Sequence, residues 1–174
     1  MPNYYTGIGS RKTPKVFLDL FEQVGETLAD CDFILRSGGA NGADSAFEKG
    51  CNNLNGEKEI YLPWRGFNDS KSNLIVYDRR AFDIARKYHP RFNSLKSGAQ
   101  KLMARNTHQI LGQDLNTPTT FVICWTPNGS GQGGTGQAIR IAKDYNIPVF
   151  DCGKYKEDEI DKCIDDLNEF LRQF

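Results

Sequence analysis

The stretch Arg36-Ser37-Gly38-Gly39-Ala40-Asn41-Gly42-Ala43-Asp44 decides the fold of this chain. It directly follows the apolar run at residues 33–35, and apolar residues at helical spacing begin at its end. A strand that breaks into glycines and then opens a helix places unpaired backbone N–H groups at the positive end of that helix. The stretch therefore predicts an anion-binding loop.

Two further stretches repeat the order of strand, glycine loop and helix. Tyr4-Tyr5-Thr6 runs into Gly7-Ile8-Gly9-Ser10-Arg11, and residues 121–125 run into the glycine-rich residues 129–135. A single glycine loop after a strand more often serves only to turn the chain. The prediction of a binding site therefore depends on the repetition of such loops. We expect an α/β fold: a doubly wound, mainly parallel Rossmann-like sheet with helices on both faces, whose glycine loops converge at the carboxyl ends of the strands.

The periodicity of apolar residues predicts where the elements lie. Strands are expected at residues 4–8, 33–35, 59–62, 119–125 and 147–150. A first helix is expected to begin after Thr13, its N-cap. Further helices are expected at residues 42–51, 78–88, 98–111, 137–145 and 160–171. We expect a single domain over residues 1–174. Residues 63–97 form a basic, aromatic insertion, which we expect to cover the site as a lid.

Composition excludes several classes of protein. The 174 residues, 39% of them hydrophobic, suffice for one buried core. Five cysteines without C-x-x-C spacing and two histidines indicate neither a disulfide framework nor a metal site, and no cofactor is expected. No apolar run approaches the roughly 20 residues that span a bilayer. We therefore expect a cytoplasmic protein that does not bind membranes.

The formal net charge of zero hides a basic middle segment. Residues 64–108 contain ten Lys or Arg against three Asp, so the local net charge is +7. Aromatic residues such as Trp64 alternate with these cations. Aromatic faces stack bases and arginines hold phosphates, so the segment favours a nucleotide-like ligand, and it also suits single-stranded DNA.

Four motifs occur in a characteristic order: residues 5–11, the stretch Ser37-Gly38-Gly39-Ala40-Asn41-Gly42-Ala43-Asp44, the pair Arg105-Asn106, and Gly133-Gly134-Thr135. In this order they resemble the SLOG superfamily of Rossmann-like domains. That superfamily includes the DNA-processing protein DprA/Smf, the LOG phosphoribohydrolases and small proteins common in bacteriophages. The resemblance covers about residues 4–150. It implies a nucleotide-type pocket and a homo-oligomer.

The predicted ligand-binding residues lie mainly in these motifs. They are Gly7, Gly9, Ser10, Arg11, Arg36, Ser37, Gly38, Gly39, Asn41, Asp44, Trp64, Arg105, Asn106, Gly133, Gly134, Thr135 and Gln137. Asp44 could accept hydrogen bonds from ribose hydroxyls, although a carboxylate in a first helical turn is also explained by the helix dipole. Glu48 lies one turn further on and could flank a sugar together with Asp44.

The resemblance leaves catalysis open. LOG enzymes cleave the N-glycosidic bond of a nucleoside monophosphate with an arginine and with a glutamate that follows the Gly-Thr pair. Here Gly136, Gln137 and Ala138 follow Thr135. Glutamine cannot act as a general base, so a pocket that is non-catalytic or only weakly catalytic is expected. If the chain is an enzyme, Arg105, Asp44 and Glu48 are the candidate catalytic residues.

Three functions follow from this reasoning. The first is a pocket for a nucleotide-derived small molecule, such as an NAD-derived or cyclic nucleotide immune signal. A stand-alone, phage-type protein would sequester that signal in the host cytoplasm and so blunt host defence. The second is a nucleoside 5′-monophosphate N-glycosidase, and the third is a DprA-like single-stranded DNA-binding protein.

Overall fold

The computed structural model describes every residue from Met1 to Phe174. The strands are β1 (Asn3–Gly9), β2 (Phe33–Ser37), β3 (Lys58–Leu62), β4 (Leu74–Ile75), β5 (Phe121–Trp125) and β6 (Val149–Asp151). The α-helices are α1 (Lys15–Asp30), α2 (Ala43–Asn53), α3 (Arg79–Tyr88), α4 (Ser97–Leu111), α5 (Gly134–Asp144) and α6 (Ile160–Leu171). No helix combines the length and the apolar composition that crossing a bilayer requires.

The six strands form one sheet in the order β4-β3-β2-β1-β5-β6, and every pair is parallel. The chain therefore builds outward from β1 to β4 and then returns to pair β5 with the other side of β1. The predicted doubly wound α/β fold class is confirmed. In such sheets the crevice for a ligand opens where the strand order reverses, which here is between β1 and β5.

Two hydrophobic cores hold helices against the two faces of the sheet. Because side chains alternate along a strand, Tyr5 of β1 joins one core and Ile8 joins the other. The first core lies against α1, α2 and α6 and includes Phe21, Phe47, Phe121 and Leu167. The second lies against α4 and α5 and includes Ile110, Leu111, Val122, Ile139 and Ile141.

The inserted segment 63–97 packs as part of this layered structure. Its short strand β4 extends the edge of the sheet beside β3, and the Val76 N–H donates to the Leu62 carbonyl at 3.0 Å. Buried Ala81 and Ala85 of α3 pack with Phe92 and with Ala104 of α4. Strand β4 is not among the strands expected from the sequence, because its two residues are too few to show a strand periodicity.

Two helix starts differ from the predicted ones. Pro14, not Thr13, is the N-cap of α1, and the Thr13 hydroxyl instead donates to the Ser10 carbonyl at 2.6 Å. Helix α5 begins at Gly134, three residues before the predicted start. Glycine has a low helix propensity, so the glycines of this first turn concealed it in the sequence. The N-terminus of α5 consequently lies directly at the end of the third glycine loop.

Candidate functional site

A cavity of about 810 Å³ lies at the carboxyl ends of β1 and β5, where the strand order reverses. Its walls come from the loop after β1, the start of α2, the middle of α4, and the segment between β5 and α5. The lining residues are Ile8, Gly9, Ser10, Arg11, Lys12, Ala40, Asp44, Leu102, Met103, Arg105, Asn106, Gln109, Pro127, Asn128, Ser130, Gln132, Gly133, Gly134 and Thr135.

The rim of the cavity is positive. Arg11 and Lys12 are exposed on one side of it. The N-terminus of α5 lies on the other side, where the Gly136 N–H donates to the Gly133 carbonyl at 3.1 Å. The other N–H groups of a first helical turn have no intrahelical acceptor, and the helix dipole adds a partial positive charge there. This combination suits an anionic group such as a phosphate.

Asp44 lies on the floor of the cavity and is only 3% exposed. Its two carboxylate oxygens accept the N–H groups of Gly9 and Ala40, each at 3.3 Å. Burial raises the pKa of Asp44 to about 6, while the charge of Arg105 and the backbone hydrogen bonds act in the opposite direction. The carboxyl can therefore gain or lose a proton close to neutral pH.

Arg105 of α4 is the buried cation of the floor, at 6% exposure. Its Nε donates to Asn106 Oδ1 at 3.0 Å, and its Nη1 donates to the carbonyls of Gly38 and Tyr61. Nη2 makes no hydrogen bond within the protein. Burial lowers the pKa of Arg105 to about 10, although Asp44 raises it, so the guanidinium stays charged at neutral pH. The Nη2 nitrogen of this cation is free to donate to a ligand.

Asn106 links the floor to the third glycine loop. Its Oδ1 accepts from Arg105, and its Nδ2 donates to the Gly134 carbonyl at 2.9 Å. Arg105 and Asn106 together connect the loop after β2, helix α4 and the start of α5. The relative positions of rim and floor therefore depend on this pair.

A second group of bonds holds the segment between β5 and α5. Asp151, at the end of β6, accepts the hydroxyl of Thr126, the Thr126 N–H at 3.0 Å and the Gly153 N–H at 2.9 Å. The Thr126 hydroxyl oxygen in turn accepts the Gly131 N–H at 3.0 Å. Sequence reasoning missed both residues, because Thr126 and Asp151 are 25 positions apart.

Many of the predicted ligand-binding residues meet at this cavity. Those that line it are Gly9, Ser10, Arg11, Asp44, Arg105, Asn106, Gly133, Gly134 and Thr135. The three glycine loops converge as expected for a parallel sheet. A role in binding stays a prediction for each of these residues.

Arg36 is placed elsewhere, and the structure corrects its predicted role. Its side chain is 1% exposed and lies over the ring of Tyr4 at 3.8 Å. Nε donates to Glu59 at 2.8 Å and Nη1 to the Thr117 carbonyl at 2.5 Å. Arg36 belongs to β2 and not to the loop after it, so its side chain packs on a face of the sheet and does not line the cavity.

Three other predicted residues lie beneath the cavity without lining it. The Ser37 hydroxyl donates to the Gly7 carbonyl at 2.6 Å and so ties β2 to β1. A Cβ atom at Gly7 would lie 2.5 Å from the ring of Phe47, so glycine is required there for packing. Gly38 contributes the carbonyl that Arg105 binds. These residues shape the site from below.

Gly39 and Glu48 line a separate depression of about 650 Å³. Glu48 pairs there with Lys58 at 2.8 Å. Nearby, exposed Asn41 accepts a hydrogen bond from Asn68 at 3.0 Å and does not line the cavity. Asp44 and Glu48 thus line different depressions, and the expectation that they flank one sugar gains no support from their positions.

The predicted lid does not cover the cavity, since none of residues 63–97 lines it. The apolar residues of this segment pack against α4 instead. Trp64 is 41% exposed and lies against Phe67 and Gly98. Gln137 is also absent from the lining: it is fully buried, and neither atom of its side-chain amide has a hydrogen-bond partner.

Several lining residues were not expected from the sequence. Among them, Lys12 adds a cation to the cavity and Gln109 adds an amide. Gln109 follows Arg105 by one helical turn. Residues four apart share a helix face, so this spacing could have identified it once Arg105 was assigned to the site. Nowhere do three His, Cys, Asp or Glu side chains cluster as a metal site would require.

No protein-family model and no curated protein matches the chain. Solved structures of other proteins resemble its fold, among them the following two. The Moco carrier protein of Chlamydomonas rheinhardtii aligns with a TM-score of 0.56 at 14% identity, covering 88% of this chain and 77% of that one. DNA processing protein A of Helicobacter pylori, which has a single-stranded DNA binding mode, aligns with a TM-score of 0.61 at 16% identity, covering 99% and 82%. The chain thus has the Rossmann-like α/β fold of these two proteins.

Proposed function

We propose that this protein binds a nucleotide-derived small molecule in the cavity between β1 and β5. The observation that carries the proposal is the division of the cavity into a positive rim and a buried polar floor. Arg11, Lys12 and the start of α5 would hold phosphate, and Asp44 and Arg105 would contact the sugar or base. A cavity of about 810 Å³ is also within the range of small-molecule sites.

We further propose that the protein is a SLOG-type domain that retains its ligand instead of converting it. The order of the four motifs supports this assignment, as does the fold shared with DNA processing protein A. None of the residues that follow the Gly-Thr pair, Gly136, Gln137 and Ala138, is the glutamate that LOG enzymes use for hydrolysis. A cytoplasmic, phage-type homo-oligomer that sequesters an NAD-derived or cyclic nucleotide signal is the biological role we propose for such a pocket.

Ligand recovery tests this function. The purified protein is incubated with nucleoside monophosphates, NAD-derived cyclic products or cyclic dinucleotides, and its melting temperature is measured. A ligand present at 100 times its Kd should stabilise the fold by roughly 2.7 kcal/mol. The bound molecule should return intact when the protein is denatured. A free base that accumulates with time would identify an N-glycosidase and contradict sequestration.

A variant of the rim tests the location. Replacing both Arg11 and Lys12 with alanine should weaken binding of the phosphorylated ligand by about tenfold or more, because charge-assisted hydrogen bonds to phosphate are lost. Lys15→Ala is the matched control, since Lys15 is exposed on α1 and pairs with Asp19 at 2.8 Å, outside the cavity. Equal affinities in the double variant and the control would place the ligand elsewhere.

Single-stranded DNA is the second candidate, and the exposed aromatic residues of the basic segment favour it. Tyr77 is 76% exposed and Trp64 is 41% exposed, and the exposed arginines Arg79 and Arg80 follow Tyr77 after one intervening residue, Asp78. Stacking of a base on such a ring contributes about 1–3 kcal/mol. DNA binding should fall steeply with salt and should weaken in Tyr77→Ala, whereas binding confined to mononucleotides would exclude this candidate.

A further inference from the structure

We infer that Gln109 determines which ligand the cavity accepts, by hydrogen bonding to the edge of a purine-like ring that presents a donor beside an acceptor. The inference rests on the proposed function, because it concerns the floor of the same cavity. It assigns the base-recognising role to a residue outside the glycine motifs.

The side-chain amide of Gln109 lies at the cavity and has no hydrogen-bond partner in the protein. The residue is 2% exposed and lines the cavity, yet its side-chain amide makes no hydrogen bond within the protein. Its amide atoms are not sealed within the protein, so a molecule bound in the cavity can use their hydrogen-bonding capacity. Gln137 offers a contrast, since both of its unpaired amide atoms are sealed from the cavity and from solvent. Of these two amides, only that of Gln109 can contact a bound molecule.

The other polar groups of the floor are partly or wholly occupied. Asn106 uses its amide oxygen and nitrogen for Arg105 and the Gly134 carbonyl. Arg105 commits Nε and Nη1 to protein acceptors and keeps only Nη2 free. Each oxygen of Asp44 already accepts one backbone N–H. The hydrogen-bonding groups of the floor that remain free for a ligand are therefore of both kinds. Arg105 and Gln109 offer donors, and Gln109 and Asp44 offer acceptors.

This mixed set does not suit a phosphate. Phosphate oxygens only accept hydrogen bonds, and the Asp44 carboxylate and the Gln109 carbonyl would both repel them. The exposed cations and the start of α5 at the rim offer a better phosphate site. The floor instead complements a neutral ring edge with an adjacent donor and acceptor. A lactam edge (C=O beside N–H) or an amidine edge (N beside NH₂) of a purine has this pattern.

The position of Gln109 is tightly defined. Its backbone carbonyl accepts the Thr6 hydroxyl at 2.6 Å, which ties this turn of α4 to β1. Its Nε2 and Arg105 Nη1 crowd Gly38 so closely that a Cβ atom there would lie 2.2 Å and 2.3 Å from them. The glycine after β2 therefore makes room for both side chains. An amide held in this way can select one ring edge over another.

Calorimetric titration tests the inference with four probes that share ribose 5-phosphate. Inosine monophosphate has a lactam edge, adenosine monophosphate has an amidine edge, purine riboside monophosphate has neither, and ribose 5-phosphate has no base. The wild-type protein should prefer one of the first two over purine riboside monophosphate by about tenfold or more. In Gln109→Met, which keeps the length of the side chain, this preference should disappear, and affinity for ribose 5-phosphate should be unchanged. Gln137→Met is the matched control and should keep the preference.

The outcomes separate the two claims. If ribose 5-phosphate and the nucleotides bind but Gln109→Met keeps the wild-type preference, the role of Gln109 is overturned and the proposed function stands. Equal wild-type affinities for the three nucleotides would also overturn it. If the wild-type protein binds none of the four probes, the role of Gln109 is overturned, whereas the proposed function falls only if the NAD-derived and cyclic nucleotide ligands of the first test also fail to bind. Retained binding of ribose 5-phosphate by Gln109→Met shows that the variant is folded.

Discussion

At the scale of single residues, Asp44 combines a local and a tertiary property. Its place in the first turn of α2 favours a negative charge through the helix dipole. Burial on the cavity floor opposes that charge and is the larger effect, so the pKa of Asp44 is raised to about 6. The folded protein therefore holds a proton on Asp44 at pH values where the unfolded chain, with a pKa near about 3.9, has released it.

Removing this carboxyl should change how stability depends on pH. A raised pKa in the folded state stabilises the fold at low pH, and this contribution is lost as the pH rises through about 6. Between pH 4 and pH 7, the free energy of unfolding of the wild-type protein should fall by about 2 kcal/mol relative to Asp44→Asn. Urea denaturation at several pH values measures the difference. A difference that is constant over this range would show that Asp44 titrates alike in the folded and unfolded states.

At the scale of elements, the first turn of α5 is joined to the glycine loop before it. A Cβ atom at Gly136 would lie 1.9 Å from the Gly131 carbonyl oxygen. Gly131 is itself held by the Thr126 hydroxyl, which Asp151 binds. The loop cannot move without breaking these bonds. The arrangement of N–H groups at the rim thus depends on the absence of a side chain at position 136.

Gly136→Ala should therefore lower the free energy of unfolding by about 1–3 kcal/mol, as overpacking does elsewhere, and should weaken ligand binding as well. Gly98→Ala is the control. It is also a helical glycine, but its added Cβ would lie 3.7 Å from the nearest atom of Trp64. Alanine should be neutral there or should stabilise α4 by up to about 1 kcal/mol. Urea denaturation and calorimetry compare the two, and equal effects would contradict the role of Gly136.

At the scale of the whole molecule, the inserted segment and the sheet should unfold together. Val76, Ala81 and Phe92 of the insertion share a core with Ala104 of α4, which also carries the cavity floor. The two tryptophans report on the two parts, since Trp64 lies in the insertion and Trp125 ends β5. In Trp125→Phe and Trp64→Phe, the remaining tryptophan should show a fluorescence transition at the midpoint measured by circular dichroism for the same variant. An earlier transition of Trp64 would mark the insertion as a separate folding unit.

The sequence by itself determined the fold class and much of the cavity rim. Strand, glycine loop and helix follow one another within about ten residues, so their pattern is local. In a parallel sheet, the loops after neighbouring strands must meet at one edge. This reasoning was enough to bring Gly9, Arg11 and Gly134 together. Arg105 was assigned to the site only through the resemblance to the SLOG motifs. No local pattern in the sequence distinguishes a buried arginine of a helix from an exposed one.

Only the tertiary structure decided what each side chain faces. Arg36 and Ser37 are adjacent in β2, yet Arg36 packs with Tyr4 and Glu59, while Ser37 binds Gly7. Gln109, which was not expected at the site, lines the cavity, whereas Trp64, which was expected there, does not. The packing of α4 on the sheet and on the insertion decides both positions. Such contacts join residues tens of positions apart. They depend on strand pairing and helix packing, which no local pattern in the sequence contains.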